Sequence, residues 1–327
     1  TVLFTGAGGS IGQEICLQVA ARNPGRLLLL DQCEVLLYQT EQALIAAGAG
    51  ALITPLVGDV TDEARLRDVF TRFRPELVLH AAAHKHVPLM ESQPGEALKN
   101  NVLGTASLAR LASEHGVGQF VLISSDKAVN PTNVMGASKR LSELVIQGLQ
   151  ARPDNRTRFV AVRFGNVLAS SGSVIPLFRQ QIAEGGPVTV THPDVKRYFM
   201  TIPEAVGLVL QSATQGEGGD ILVLEMGEPL RIVDLARQLI ELSGFRPDVD
   251  IEIKIVGLRP GEKLVEELHL EGEHYRPTTH PRIRRFVGAR TDHAALDRLL
   301  ADVRALLPLE RAACKQGLRA LVPEYVP

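Results

Sequence analysis

Val2-Leu3-Phe4-Thr5-Gly6-Ala7-Gly8-Gly9-Ser10-Ile11-Gly12 carries a short apolar run into a glycine-rich turn and out into an amphipathic stretch, Ile11–Ala21. Gly6, Gly9 and Gly12 are spaced Gly-x-x-Gly-x-x-Gly, and Gly8 adds another residue without a side chain. Glycine lets a backbone turn tightly and approach phosphate oxygens, while the start of a helix offers unpaired N–H groups and a positive dipole end. A strand–turn–helix of this composition predicts a pyrophosphate site formed by Gly6, Gly9, Ser10, Ile11 and Gly12. Asp31 closes the next apolar run, Leu27–Asp31, 19 residues after Gly12. A carboxylate there hydrogen-bonds a ribose 2′-hydroxyl and repels a 2′-phosphate, which favours NAD over NADP. Asp59 and Val60, after the third candidate strand, are placed to frame the adenine.

The pattern begun there continues. Leu52–Val57, Leu77–His80, Phe120–Ile123 and Phe159–Val162 are further candidate strands, and Val35–Ala47, Glu63–Phe73, Ala97–Glu114 and Ser138–Gln150 are helix-period stretches between them. This alternation predicts an α/β fold with a Rossmann-type, doubly wound parallel sheet. After Arg163 the pattern is broken by Gly, Pro and Ser. Short candidate strands (Val188–Val190, Ile221–Leu224, Ile251–Val256) mix with helices at Pro203–Ala213 and Val233–Leu242. The expected division is an NAD-binding domain over 1–165 and a smaller mixed α/β substrate domain over 166–327, with some elements returning to the large sheet. Asp292–Leu321 reads as helical, charged and packed on the outside.

Composition bounds the function class. The chain has 327 residues, 45% hydrophobic and 22% charged, with a formal net charge of −2. That balance, with no basic stripe, argues against nucleic acid as a partner. Cys16, Cys33 and Cys314 are few and far apart, so free thiols in a reducing compartment are expected rather than disulfides or zinc. No apolar run approaches the ~18 residues that span a bilayer, and no signal peptide is visible. The chain opens without Met inside a strand, which leads us to expect a missing amino-terminal region.

Phe120–Ile123 ends in Ser124-Ser125-Asp126-Lys127, then Asn130-Pro131 turns the chain and Asn133 is placed to cap a helix carrying Met135, Ser138 and Lys139. Ligands of open α/β sheets sit outside the carboxyl ends of strands, so hydroxyl, acid and amine gathered there predict chemistry. The fourth strand ends in His80-Ala81-Ala82-Ala83-His84-Lys85-His86, where Ala81 and Ala82 let a cofactor lie against the backbone. His84 and His86 lack a third ligand, so no metal is expected.

These residues resemble the extended short-chain dehydrogenase/reductase family, and within it the UDP-N-acetylglucosamine 4,6-dehydratases of the membrane-anchored polysaccharide-biosynthesis branch. The resemblance is carried, in order, by 81–88, Asn100-Asn101-Val102-Leu103-Gly104-Thr105, 125–133, Arg163-Phe164-Gly165-Asn166-Val167, Arg197-Tyr198-Phe199-Met200 and Leu258-Arg259-Pro260-Gly261-Glu262-Lys263-Leu264. One departure from most of the superfamily is Met135, where the usual Tyr-x-x-x-Lys places an acid–base tyrosine; the membrane-anchored branch also carries Met. The resemblance implies C4 oxidation, loss of water across C5–C6 and hydride return to C6. It implies Asp126 as the acid at the C6 oxygen. Because Met135 has no proton to exchange, the base at the 4-hydroxyl is expected to be Asp126 acting a second time, with Lys127 through a water as the alternative. Lys127 is implied as the C5 base, which requires an amine made neutral by burial or by Lys139. Ser125 is implied on the 4-oxygen and Lys139 on the nicotinamide ribose. Lys85, Asn166, Arg197, Arg259 and Glu262 are expected to bind the UDP-sugar.

Two alternatives stay open: a nucleotide-sugar 4-epimerase or reductase, and a catalytically silent NAD-binding module that Met135 permits. The resemblance also leads us to expect a homo-oligomer, a membrane association made only through the missing amino-terminal region, and a place on the cytoplasmic side of the membrane in the full-length protein.

Overall fold

The computed structural model describes residues 1–268, 274–288 and 291–326. Its centre is a nine-stranded sheet of β1 (Val2–Thr5), β2 (Leu27–Asp31), β3 (Ile53–Val57), β4 (Leu77–His80), β5 (Gln119–Ile123), β6 (Arg158–Arg163), β7 (Asp220–Leu224), β8 (His274–Pro277) and β9 (Ile283–Val287), ordered β8-β9-β7-β6-β5-β4-β1-β2-β3. All neighbours from β7 to β3 pair parallel, and only β9 and β8 are antiparallel additions at one edge. The Rossmann-type reading is confirmed. β1, β2 and β4 occupy the residues read from the sequence, because each apolar run is closed by a polar or glycine residue. The antiparallel pair β8–β9 was not read; its polar, arginine-rich strands look like loop.

Helices α1 (Ser10–Ala20), α2 (Glu34–Ala46), α3 (Glu63–Phe73), α4 (Thr105–Glu114) and α5 (Val134–Gln150) connect the parallel strands. The next five are α6 (Val174–Ala183), α7 (Ile202–Gln215), α8 (Ile232–Leu242), α9 (His293–Leu306) and α10 (Arg311–Leu321). One face of the sheet buries Leu3, Leu28, Val78 and Phe120 against α3, α4 and α5; the other buries Phe4, Leu29, Leu79 and Val121 against α1, α2 and α7. Alternating residues of each strand thus supply opposite faces, and both are apolar because helices cover both. A third cluster around Phe178, Val188, Ile232 and Ile240 forms a smaller lobe from α6, α8 and the strand pair Val188–Val190 with Ile253–Ile255.

The stretch expected as one helix over Ala97–Glu114 is not regular. Leu98–Gly104 is wound as a π-helix before α4 begins. Asp292–Leu321 is helical as expected and forms two helices that lie against α5, burying Leu296, Val303, Cys314 and Leu318 in the core that α5 shares with the sheet. Among the described residues no helix is long and apolar enough to cross a membrane.

Candidate active site

The carboxyl ends of β1, β2, β4, β5 and β6 open onto one cavity of 1040 Å³, whose wall also includes residues of the smaller lobe. At its dinucleotide end the glycines differ in their reasons. Gly6 has φ +69°, and a Cβ there would fall 2.6 Å from Ala82 N, so Ala81 and Ala82 are pressed against the turn. A Cβ on Gly12 would lie 2.0 Å from Gly6 O. Gly9 is the N-cap of α1 and makes no side-chain cap, which leaves the first N–H groups of the helix to a ligand. Asp31 accepts from Gly8 N and from Cys33 N, each at 2.8 Å, so the carboxylate is fixed at the rim with lone pairs still available. Asp59 is held in its own turn by Thr61 N at 2.7 Å, and Val60 packs under it against Gly104. Ser10, Ile11, Asp59 and Val60 all line the cavity. These residues fit a dinucleotide: a cradle that side chains would fill, an uncapped helix start and an acid for the ribose.

Beyond β5 the chain turns through a short 3₁₀ helix, Asp126–Ala128, capped by Ser125. Ser125 Oγ donates to Asp126 Oδ1 at 2.9 Å, and Lys127 Nζ donates to the same oxygen at 3.0 Å. Ser125 and Lys127 line the cavity, whereas Asp126, 2% exposed, sits behind them. Its other oxygen, Oδ2, is buried without a hydrogen-bond partner and faces Gly165, where a Cβ would come within 3.1 Å. Lys127 Nζ also donates to Asn166 Oδ1 at 3.2 Å and lies 3.4 Å from Glu266 Oε1. Burial works against its charge, but Asp126 and Glu266 outweigh it and hold the ammonium above its ordinary range. This corrects the expectation of a neutral Lys127: the group beside it is Glu266, not Lys139.

The depressed amine is Lys139. It donates to Ile123 O at 2.6 Å, and burial pulls its pKa down to about 8, against a smaller opposing pull from Glu143. Met135 and Lys139 lie one turn apart on the cavity-facing side of α5. Asn133 caps that helix as expected, accepting from Gly136 N at 2.8 Å, and Gly136 is required because a Cβ would lie 2.1 Å from Lys127 O. Behind α5, Glu143 and Arg163 form a fully buried bidentate pair at 2.8 and 2.7 Å, and Ser124 donates to Glu143 at 2.6 Å. That pair locks α5 onto the ends of β5 and β6.

His80 lies between Thr5 and Thr105, at 2.7 and 2.8 Å, and burial, helped by Lys139, lowers its pKa to about 3. Because Thr105 Oγ1 donates to Asn101 O, it accepts from His80 Nε2, and His80 Nδ1 accepts from Thr5. Asn101 was not singled out as a site residue. Its side chain bonds His84 N, His84 O and Ser138 Oγ, tying the π-helix to the end of β4 and to α5.

The smaller lobe closes the other end. Arg197 donates to Glu262 Oε1 at 3.1 Å and to Leu264 O at 3.2 Å, while Glu262 also accepts from Thr191 Oγ1 and Arg259 N. Asn166, Arg197, Arg259, Glu262 and Lys85 all line the cavity. Lys85 Nζ donates to Ser171 O at 2.8 Å and Ser171 N to Ser10 Oγ at 3.1 Å, so the 170–173 loop bridges the phosphate turn. Glu266 was missed. It is buried, lines the cavity and stands 3.9 Å from Arg197 Nε, but it lies 139 residues after Lys127 and no spacing links the two. Among the described residues no cluster of three or more His, Cys, Asp or Glu is arranged to hold a metal ion; His84 and His86 have no third partner of that kind.

The family model described as polysaccharide biosynthesis protein matches residues 2–287. The capsular polysaccharide biosynthesis protein CapD of Staphylococcus aureus is 55% identical over 269 residues, which are 82% of this chain but 45% of that protein, so the chain spans about half the length of this curated relative. A UDP-N-acetylglucosamine 4,6-dehydratase (inverting) of Campylobacter jejuni is 33% identical over 81% of this chain and 76% of its own. The X-ray structure of Pen from Bacillus thuringiensis superposes with a TM-score of 0.82 at 31% identity, covering 89% of this chain and 88% of that one. With a Rossmann sheet, a dinucleotide cradle and a hydroxyl–acid–amine cluster after β5, this chain belongs to the polysaccharide biosynthesis protein family of extended short-chain dehydrogenase/reductases.

Proposed function

We propose that this chain is the catalytic region of an NAD-dependent dehydratase that converts UDP-N-acetylglucosamine to a UDP-4-keto-6-deoxy sugar for polysaccharide or glycan synthesis. The observation that carries the reading is the Ser125–Asp126–Lys127 cluster, joined by bonds of 2.9 and 3.0 Å on the sheet edge that also bears the dinucleotide cradle. NAD, when bound, accepts hydride from C4 and gives it back at C6, so no outside reductant is consumed. The protein's part is proton management and binding. A C4 hydroxyl that donates to Ser125 Oγ can pass its proton through the serine to Asp126, which already accepts from it. Asp126 holds that proton and returns it by way of Ser125 to the C6 oxygen, which leaves as water. This route needs no tyrosine, and so accounts for Met135. Lys127, kept as an ammonium, offsets negative charge on the 4-oxygen as C5 is deprotonated. Lys139 is assigned to the nicotinamide ribose.

Residues 166 onward are assigned the nucleotide, with 1–165 holding the cofactor. Arg197 and Asn166 take the diphosphate, Arg259 and Glu262 the uridine end, and Lys85 the approach to the sugar. From the resemblance to the membrane-anchored branch we propose retention at C5, in contrast to the relative named as inverting. From the same resemblance we propose that the full-length protein's reaction takes place on the cytoplasmic side of a membrane.

The test is incubation of the purified chain with UDP-N-acetylglucosamine and no added NADH. A 4-keto-6-deoxy product supports the reading. A 4-epimer points to an epimerase instead, and unchanged sugar with bound NAD points to a silent module. In the same assay Asp126→Asn should lose dehydration, by roughly 10²–10⁴-fold as for other acid–base groups, whereas Met135→Ala should keep substantial turnover.

A further inference from the structure

We propose that Glu266 is the catalytic base at C5 of the substrate and that Lys127 acts beside it only as a cation, an assignment that rests on the dehydratase reading above. The geometry at Lys127 is the starting point. Its Nζ faces Asp126 Oδ1 at 3.0 Å, Asn166 Oδ1 at 3.2 Å and Glu266 Oε1 at 3.4 Å. An ammonium has three N–H donors and no lone pair, and here it meets three acceptors. A neutral amine in that position would offer its lone pair to one of three oxygens. The site is therefore built for the cation, and a base at C5 has to come from elsewhere on the cavity wall.

The carboxylates on that wall are few. Asp31 and Asp59 belong to the dinucleotide end and are bonded to backbone N–H groups. Glu262 has both oxygens committed, to Thr191 and Arg197 on one side and to Arg259 N on the other. Glu96 lies beside Lys99 on an exposed surface. Glu266 is the one next to Lys127, and its contacts to Lys127 and Arg197 both run through Oε1. Among the described residues Oε2 carries no hydrogen bond or ion pair. Lys127 and Arg197 both stand at Oε1, and one oxygen is left to receive a proton.

The protons balance. C4 oxidation sends the hydroxyl proton through Ser125 to Asp126. The C5–H bond then breaks, its proton goes to Glu266, and its electron pair forms the enolate on the 4-oxygen beside the Lys127 ammonium. As the C5–C6 double bond forms, the C6–O bond breaks and the oxygen leaves as water with the proton that Asp126 sends back through Ser125. After hydride reaches C6, Glu266 gives its proton back to C5. One base working from one face also accounts for retention there.

The deciding experiment compares Glu266→Gln, Glu266→Asp and Lys127→Arg, followed by NADH absorbance and by solvent deuterium entering C5 of the product. Arginine keeps the charge but does not release a proton under these conditions. Glu266→Gln should still oxidise C4, accumulating NADH absorbance, while turnover and C5 deuteration fall by roughly 10²–10⁴-fold. Glu266→Asp should recover part of both, and Lys127→Arg should slow turnover while deuterium still enters C5 of whatever product forms. UDP binding and thermal unfolding of each variant separate this from a folding defect. Wild-type deuteration in Glu266→Gln, or loss of elimination in Lys127→Arg while Glu266→Gln remains active, overturns the assignment. An unmodified chain that leaves UDP-N-acetylglucosamine untouched overturns the dehydratase reading itself.

Discussion

His80 and Lys139 show how burial writes pH dependence into single residues. His80 stays neutral in the fold because its pKa falls to about 3, while in the unfolded chain it titrates near the usual ~6.5. As pH drops through that window the unfolded state binds the proton first, so stability falls with falling pH. The expected loss between pH 8 and pH 5 is about 2 kcal/mol from this group. Urea unfolding at the two pH values should show a smaller difference in His80→Gln than in the parent. Lys139 acts in the same sense at alkaline pH. Its folded pKa of about 8 lies below the free value of ~10.4, so the unfolded chain holds more protons and stability rises as pH climbs between them. Raising pH from 7 to 9.5 should add about 2 kcal/mol, and Lys139→Met should remove that gain while weakening NAD binding.

Among the elements, the first turn gives the sharpest contrast. Gly6, Gly9 and Gly12 look equivalent in spacing, yet a Cβ at 12 would lie 2.0 Å from Gly6 O and one at 9 would lie 3.4 Å from the same atom. Gly9 also has an ordinary φ of −71°. Gly12→Ala should therefore push α1 off the loop, costing about 2 kcal/mol or more and lowering NAD affinity at least tenfold. Gly9→Ala should fold normally. Isothermal titration with NAD alongside thermal unfolding checks both, and equal behaviour of the two variants would contradict the geometry. The π-helix is a second case. Ala97–Glu114 has helical periodicity, but the extra residue per turn at Leu98–Gly104 sets Asn101 against His84 and Ser138, a bond set that a regular helix pattern does not announce.

Across the whole molecule, the last two helices brace the catalytic one. Lys315 on α10 pairs with Glu91, which accepts from Val134 N at 2.6 Å at the start of α5. Val326 N donates to Pro131 O, and Arg140 on α5 pairs with Glu324. Lys315→Met should destabilise the fold by about 1–2 kcal/mol and loosen the end of α5 that carries Met135. Guanidinium unfolding measures the first effect. The second should appear as faster amide exchange at Val134 and Met135. With α9 and α10 on α5, that helix's outer face is already covered. We propose that a homo-oligomer, if formed, uses another surface.

Much was legible in order along the chain. The periods of two and 3.6, the glycine turn and Asp31 are local signals, since each depends on residues within a few positions of one another. They led to the parallel sheet, the dinucleotide end and the strand end bearing Ser125, Asp126 and Lys127. The lobe residues Asn166, Arg197, Arg259 and Glu262 were legible only through resemblance. What the chain in one dimension did not show was who faces whom. Lys127 was expected to be a neutral base, but Asp126 beside it and then Glu266, brought to 3.4 Å by the return of a loop far along the sequence, hold its charge. Asp126 was expected at the substrate and instead stands one layer back, bonded to two residues that line the cavity. By itself the sequence determined the architecture and the inventory of reactive groups, because those follow from backbone propensity and local pattern. Only the tertiary structure decided protonation and access, because burial and the full set of charges around each group fix them, and burial and charges such as Glu266 come from residues distant in the chain.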